Sequence, residues 1–503
     1  MRSLLALLFL SPLAARGDDV EKVQSDLGVA FRAYDRVGAN RASEKLAKLN
    51  SEACPQAFLA DFKIGLETLT EIKKEQRKWA GEMAANELYR DSEGRLVSRG
   101  DGFKFLAAKQ KHDLLIPKIE MLDSTIPHSM ANMSRLSSAE AEKGLEEILR
   151  TSPDWLPRAA AADALAGMKD PAALAALLAR AKSEESPGVR VAIAGALGIK
   201  GTESEEARKI LSSWLANEFW QVRLSAAQAI ARTGDKKMTP LLINQLRTAQ
   251  GRLKIEFNEC LKTLTGVNKH ADYAAWKAWW EKNNEQILDG TYKVQVFEQV
   301  DDKGLTNFYG IPFNSSRVIF LLDVSDSMKE DSKWKPDVAN DNDKLDGKRK
   351  IDVARYELRK IIRGLPDGAA FNIIGFSGFV TVMSEKMLAA DKKSRENAVK
   401  FIQNLQLLPG TNTHGALCRA LDFTGGDWNA PLTPDSVDTF YLISDGVPAS
   451  GIVTDSQWIV ERIVDALRYK KIVIHSVFID PSFAGKTVMK GVAAGTGGQY
   501  VER

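Results

Sequence analysis

The sequence predicts a multidomain chain: an all-α helical region, then an α-solenoid of repeated helix pairs, then a doubly wound, Rossmann-like α/β domain. Three observations carry this. Apolar residues recur three and four apart through a charged N-terminal region, the mark of amphipathic helices. From residue 154 a pattern of arginine and small residues returns at a fixed spacing. After residue 315, short apolar runs alternate with amphipathic helical ones, which predicts a mainly parallel sheet covered on both faces. At 503 residues the chain has room for about three domains of ordinary size and for cores that hold by packing alone.

Residues 1–17 are expected to be a secretory leader. Arg2 opens it, Leu4-Leu5-Ala6-Leu7-Leu8-Phe9-Leu10 is its apolar centre, and Ala15-Arg16-Gly17 places small residues before Asp18-Asp19. The apolar stretch is well short of the ~20 residues that span a bilayer, and no later segment qualifies. An exported protein, periplasmic or extracellular, with no integral membrane segment after leader removal, is the expectation.

Residues 18–150 read as a helical, coiled-coil-like region. Leu59, Phe62, Leu66 and Leu69 mark one face of a helix over 55–89, which Asp91-Ser92-Glu93-Gly94 breaks. A second helix is expected over 103–122, kinked or interrupted near Pro117. A helical hairpin packing on the repeat region and a partner-binding coiled coil both fit.

Residues 151–286 repeat. Arg158-Ala159-Ala160-Ala161-Ala162, Val189-Arg190-Val191-Ala192-Ile193 and Val222-Arg223-Leu224-Ser225-Ala226 open successive units, with arginines 32 and 33 residues apart. Each unit turns into a second helix, and small residues at helical spacing let the pair approach closely. The pattern resembles HEAT repeats in a short bacterial style. The recurrent arginine is expected to hold a neighbouring turn rather than a ligand, and 255–264 reads as a degenerate last unit. Trp276, Trp279 and Trp280 follow at helical spacing; a capping core is favoured over a carbohydrate-stacking platform. Residues 287–314 are a connector with a strand-like alternation over 292–297.

Residues 315–503 are organised around Arg317-Val318-Ile319-Phe320-Leu321-Leu322-Asp323-Val324-Ser325-Asp326-Ser327-Met328. The run has no polar alternation and is too short for an ordinary helix, so a strand buried on both faces is expected. Asp323, Ser325 and Ser327 would then stand beyond its carboxyl end, where ligands collect in open α/β sheets. Asp-x-Ser-x-Ser after such a strand resembles the metal-ion-dependent adhesion site of von Willebrand factor A domains. The two further pieces which that family requires follow in order: Thr411 in Pro409-Gly410-Thr411-Asn412-Thr413, and Asp445 after Thr439-Phe440-Tyr441-Leu442-Ile443-Ser444. The resemblance implies that Ser325 and Ser327 contact the metal directly, while Thr411, Asp323 and Asp445 bind directly or through water. It also implies an open position that takes a carboxylate from a partner protein. Three hydroxyls and two carboxylates suit a hard divalent cation, Mg²⁺ or Ca²⁺.

Other features weigh less. Lys329-Glu330-Asp331 resembles the integrin β-chain arrangement in which an acidic pair binds an adjacent cation, though a polar loop explains it as well. Residues 329–350 read as a solvated insertion, and His414 as a loop residue that could touch a partner. The five histidines show no zinc-type spacing, there is no Gly-x-Ser-x-Gly elbow, and Asp480 stands where a phosphate loop before Gly485-Lys486-Thr487 needs glycine. Binding rather than catalysis is expected. A formal charge of +3 from 69 basic and 66 acidic residues gives no nucleic-acid-binding balance. Three cysteines spread over three regions read as buried thiols, not a disulfide. The chain is therefore expected to be an exported scaffold that binds an acidic protein ligand through a divalent cation. The alternatives are a scaffold whose A domain docks on its own solenoid or self-associates with another copy, and a non-catalytic subunit of a hydrolase.

Overall fold

The computed structural model describes residues 22–27, 29–30, 36–49, 54–86, 88–90, 96–98, 100–136, 138–293, 307–336, 345–424, 432–479 and 485–503. The expected leader and most of the strand expected over 292–297 lie outside the described residues. The chain forms two compact units, residues 1–177 and 178–503.

The first unit is helical, with Cys54–Ala85 packed against Gly102–Ser134. Between them Leu88–Arg90 pairs antiparallel with Leu96–Ser98, a hairpin where only a break was expected. Three-residue strands carry too little alternation to be read from sequence. The second helix also departs from expectation. It runs without interruption from Gly102 to Ser134, with Pro117 and Pro127 inside it. Asp101 caps its start by accepting from the Phe103 and Lys104 N–H groups, and Leu122, Ile126, Met130 and Met133 are buried along its second half. That apolar stripe outweighs the hydrogen bonds the two prolines remove.

In the second unit, helix Pro187–Lys200 lies against Trp220–Thr233 so closely that a Cβ on Gly198 would fall 2.8 Å from Ala229 Cα. The repeated arginines hold turns. Arg190 Nε donates to Glu184 O at 2.7 Å, and Arg223 Nη1 donates to Asn217 O at 2.7 Å and Glu218 O at 2.9 Å. Within the first unit, Arg158 Nη1 does the same to Ser152 O at 2.9 Å. Gly251–Thr265 and Tyr273–Asp289 close the array. Trp276 is fully buried, donates to Asn258 Oδ1 at 2.8 Å and meets Trp279 edge to face, while Trp279 donates to Tyr292 Oη at 3.0 Å. These indoles form a packed cap.

The rest of the second unit is the α/β domain. Its strands are β1 (Arg317–Asp323), β2 (Ala370–Phe376), β3 (Val380–Val382), β4 (Leu388–Ala389), β5 (Thr439–Ser444), β6 (Val473–Phe478) and β7 (Tyr500–Glu502). The sheet order is β7-β6-β5-β1-β2-β3, with β4 also on β2. β1, β2, β5, β6 and β7 are parallel; β3 and β4 pair antiparallel with β2. On one face Val318, Phe320 and Leu322 pack with Ile351, Leu358 and Ile402; on the other Ile319 and Leu321 pack with Leu417, Ile459 and Val492. Helices on both faces are why β1 shows no polar alternation. Phe308, Tyr309, Ile311 and Phe313, which the sequence pattern assigns to the connector, pack into the first of these cores.

The solenoid helices of this unit meet the sheet at the amino ends of its strands. Trp220 Nε1 donates to Ser436 Oγ at 3.2 Å, three residues before β5, and Gln221 Nε2 donates to the same oxygen. Arg252 donates to Lys471 O, before β6, and Lys471 sits there at a φ of 55°. Before β1, a Cβ on Gly251 would come within 2.8 Å of Ser316 N and 2.9 Å of Asn314 O.

Candidate metal centre

β1 lies between β2 and β5, so the crossovers leave it toward opposite sides and open a crevice at its carboxyl end. Two backbone bonds fix the turn after it. Val324 N–H donates to Phe376 O at 2.7 Å, and Leu408 N–H donates to Val324 O at 3.0 Å. A short 3-10 turn, Asp326–Lys329, then points the hydroxyls back. Asp323 Oδ1 accepts from the Ser325 N–H at 2.8 Å, and its Oδ2 accepts from Ser444 Oγ. The Ser325 and Ser327 hydroxyls are 3.0 Å apart, and Ser327 Oγ donates to Asp445 Oδ1 at 2.8 Å. Thr411 adjoins them across Gly446: a Cβ there would lie 3.6 Å from Thr411 Oγ1 and 3.9 Å from Asp323 Oδ2. All five expected residues converge.

Asp323 has no solvent exposure, and Ser325, Thr411 and Asp445 are also buried. Burial pushes the Asp323 carboxyl up to about 6, against hydrogen bonds from Ser444 and Ser325 that pull it down, with the Asp445 charge adding to the rise. A carboxylate so placed lacks counter-charge. The cluster offers only oxygen donors, two of them anionic, and this set fits a hard divalent cation whose remaining positions water would fill.

One functional residue carries no signal in the sequence. Lys350, at the end of the stretch expected to be a solvated insertion, is buried, and its Nζ donates to Asp445 Oδ2 at 2.8 Å and to Glu330 Oε2 at 2.6 Å. Burial opposes its charge, but those two bonds outweigh it and hold its pKa above the ordinary lysine value. Backbone bonds place it: Lys350 N–H donates to Glu330 O and Ser332 N–H to Lys348 O, both at 2.8 Å, so the two described ends of the insertion are laced together. Nothing in Gly347-Lys348-Arg349-Lys350 singles out the third base, since only the lacing decides which one turns inward.

The Glu330 carboxylate is thus engaged by Lys350, which competes with a role as ligand to an adjacent cation. Asp326 is exposed and pairs with Lys329 at 2.5 Å. His414 is buried within helix Thr413–Asp422 beside Cys418, not on a loop, because Asn412 caps the helix by accepting from Gly415 N–H and so starts it at Thr413. Cys54, Cys260 and Cys418 are free thiols. Among the described residues no helix is long and apolar enough to cross a membrane.

The site stands at the carboxyl ends of β1 and β5, whereas the solenoid contacts precede their amino ends. Six- and seven-residue strands separate the two by about 20 Å. Within residues 178–503 the solenoid therefore leaves the crevice uncovered.

Comparison with known proteins agrees with this architecture. Residues 142–231 match the model for HEAT repeats, and residues 344–502 match that for the von Willebrand factor type A domain. The second range includes Thr411 and Asp445; Asp323, Ser325 and Ser327 lie upstream of it, on the central strand of the same sheet. Inter-alpha-trypsin inhibitor heavy chain 4 of Mus musculus is 27% identical over 238 residues, 44% of this chain and 22% of that protein. Heavy chain H1 of Bos taurus is 22% identical, over 36% of this chain and 19% of its own length. The chain thus spans about a fifth of these relatives. Among solved structures, the conserved hypothetical protein BatB from Bacteroides thetaiotaomicron is 16% identical, covering 37% of this chain and 89% of that one, with a TM-score of 0.27. The matched domain and the heavy-chain relatives support a protein-interaction scaffold.

Proposed function

We propose that this chain, HEAT repeats carrying a von Willebrand factor A domain, is an exported scaffold that captures an acidic protein ligand through Mg²⁺ or Ca²⁺. The observation that supports it most is the convergence of Asp323, Ser325, Ser327, Thr411 and Asp445 at the carboxyl ends of β1 and β5, with Asp323 buried and short of counter-charge. Ser325, Ser327, Thr411 and the two aspartates would hold the cation. Neutral hydroxyls leave much of the ion's charge uncancelled, so a partner carboxylate would complete its shell. The chain's own part is to preorganise these donors. Asp323 fixes the turn through Ser325 N–H, Ser327 aligns on Asp445, and Lys350 balances Asp445 when no divalent ion is present.

Binding is the activity proposed, with no catalytic residue. Self-association through the same crevice remains a second reading, since the solenoid of the same unit contacts the opposite end of the sheet. Calorimetric titration of the full chain with MgCl₂ and CaCl₂ tests the proposal. The wild type should bind one divalent ion, and Asp445→Ala should lose that binding while keeping its circular dichroism spectrum. Wild-type protein that binds neither cation at millimolar concentration would mean a silent site and a different basis for interaction.

A further inference from the structure

Within residues 307–503, four large apolar side chains are exposed among the described residues: Phe379 at 73%, Leu408 at 41%, Val447 at 37% and Ile452 at 50%. All four sit at the metal-site end. Phe379 follows β2, Leu408 precedes Thr411, and Val447 and Ile452 follow Asp445. The loops that carry them are one body. Gly378 N–H donates to Pro409 O at 2.9 Å, Asn412 N–H to Ser377 O at 2.7 Å and Ala449 N–H to Thr411 O at 3.0 Å. Gly410, at a φ of 89°, lets the three approach: a Cβ there would lie 2.8 Å from Ser450 Oγ and 3.0 Å from Gly378 Cα.

The same loops are uncharged. In a chain that is 27% charged, residues 377–379, 406–412 and 446–452 contain no Asp, Glu, Lys or Arg. The 326–331 turn borders another side of the crevice; there Asp326 is paired with Lys329 and Glu330 with Lys350. An apolar, uncharged rim on one side and a turn whose Lys329 and Lys350 are already engaged on the other would penalise a second anionic group beside the first.

Resting on the metal-bridge reading above, we infer that this collar selects a protein segment in which a single Asp or Glu is flanked by large apolar side chains, and rejects acidic runs. The coordinating carboxylate supplies attachment; Phe379, Leu408, Val447 and Ile452 supply the discrimination, as apolar anchors around a desolvated centre do at protein interfaces. The lacing of the loops keeps the collar formed before the partner arrives, so little ordering is lost on binding.

The test is a displayed library of random dodecapeptides, panned on the immobilised full chain in MgCl₂ and eluted with EDTA. Enriched peptides should share one carboxylate with Leu, Ile, Val or Phe within two residues. Against them, the variant carrying Phe379→Ser, Leu408→Ser, Val447→Ser and Ile452→Ser should bind about tenfold or more weakly while its calorimetric Mg²⁺ affinity is unchanged. These are exposed loop positions, where substitution leaves the fold intact. Enrichment of acidic runs or of carboxylates with polar flanks, or full affinity in the four-serine variant, would overturn the collar. Failure of the underlying reading looks different. Peptides that bind equally in EDTA or to Asp445→Ala, or an eluate no richer than that from Asp445→Ala, would count against the metal bridge itself.

Discussion

Lys350→Met isolates the charge that the metal-free site depends on. Methionine keeps the length and apolar stem of the side chain but deletes the ammonium 2.8 Å from Asp445 Oδ2. The Asp445 carboxylate would then be buried with the Ser327 hydroxyl as its remaining partner and the Asp323 carboxylate close by. Removing one member of a buried ion pair costs about 3–5 kcal/mol, whereas the lost contact to exposed Glu330 costs little. For a domain of this size, that lowers the A-domain unfolding temperature by roughly 6–20 °C in chelator. A divalent cation supplies the missing charge, so the loss should shrink in saturating MgCl₂. By the thermodynamic cycle, recovery of about 3 kcal/mol corresponds to cation affinity about a hundredfold tighter than wild type. Thermal unfolding with and without chelator, beside calorimetric titration of both proteins, reads the two legs. A variant as stable as wild type in EDTA would refute the counter-ion role. Equal destabilisation with and without Mg²⁺, at unchanged affinity, would reduce Lys350 to packing.

Three further outcomes are expected. His475 stacks on Tyr441 and accepts the Gln499 N–H on Nδ1 at 3.0 Å; burial, with the charge of Arg252, lowers its pKa to about 4. Because the folded value lies below the unfolded one near 6.5, its contribution is whole above pH 6.5 and is lost as pH falls toward 4, on the order of 3 kcal/mol. Urea midpoints at pH 7.5 and 5 should therefore fall less for His475→Gln than for wild type, and equal falls would remove His475 as the cause. Gly251→Ala forces a side chain into a φ of 53° against Ser316 and Asn314, and should destabilise the solenoid-to-sheet contact by about 1–3 kcal/mol, measured by urea unfolding. A midpoint at the wild-type value would show that this contact yields. Intact-mass measurement on protein from its native host should begin at Asp18; a mature chain retaining Met1 would end the export proposal.

The sequence by itself determined the parts governed by local pattern. An unbroken apolar run between helices has one economical solution, a strand covered on both faces, and β1 is that strand with Asp323 at its end. The repeat fixed the solenoid because small residues and an inward arginine recur at the spacing of one helix pair, and each arginine holds its own preceding turn. Thr411 and Asp445 were legible only because the resemblance said what to look for after the first motif. What tertiary structure decided are features built from segments distant in the chain. Pro117 and Pro127 lie inside one helix because burial along it outweighs two missing hydrogen bonds. Lys350 reaches Asp445, 95 residues away, because backbone bonds lace the insertion's ends together. The apolar collar exists because three loops, unremarkable singly, are joined at the crevice by hydrogen bonds between residues 378 and 409, 377 and 412, and 411 and 449. Side-chain periodicity reports which face of an element is buried; it carries no information on which loops meet, since that depends on strand order and register across the whole sheet.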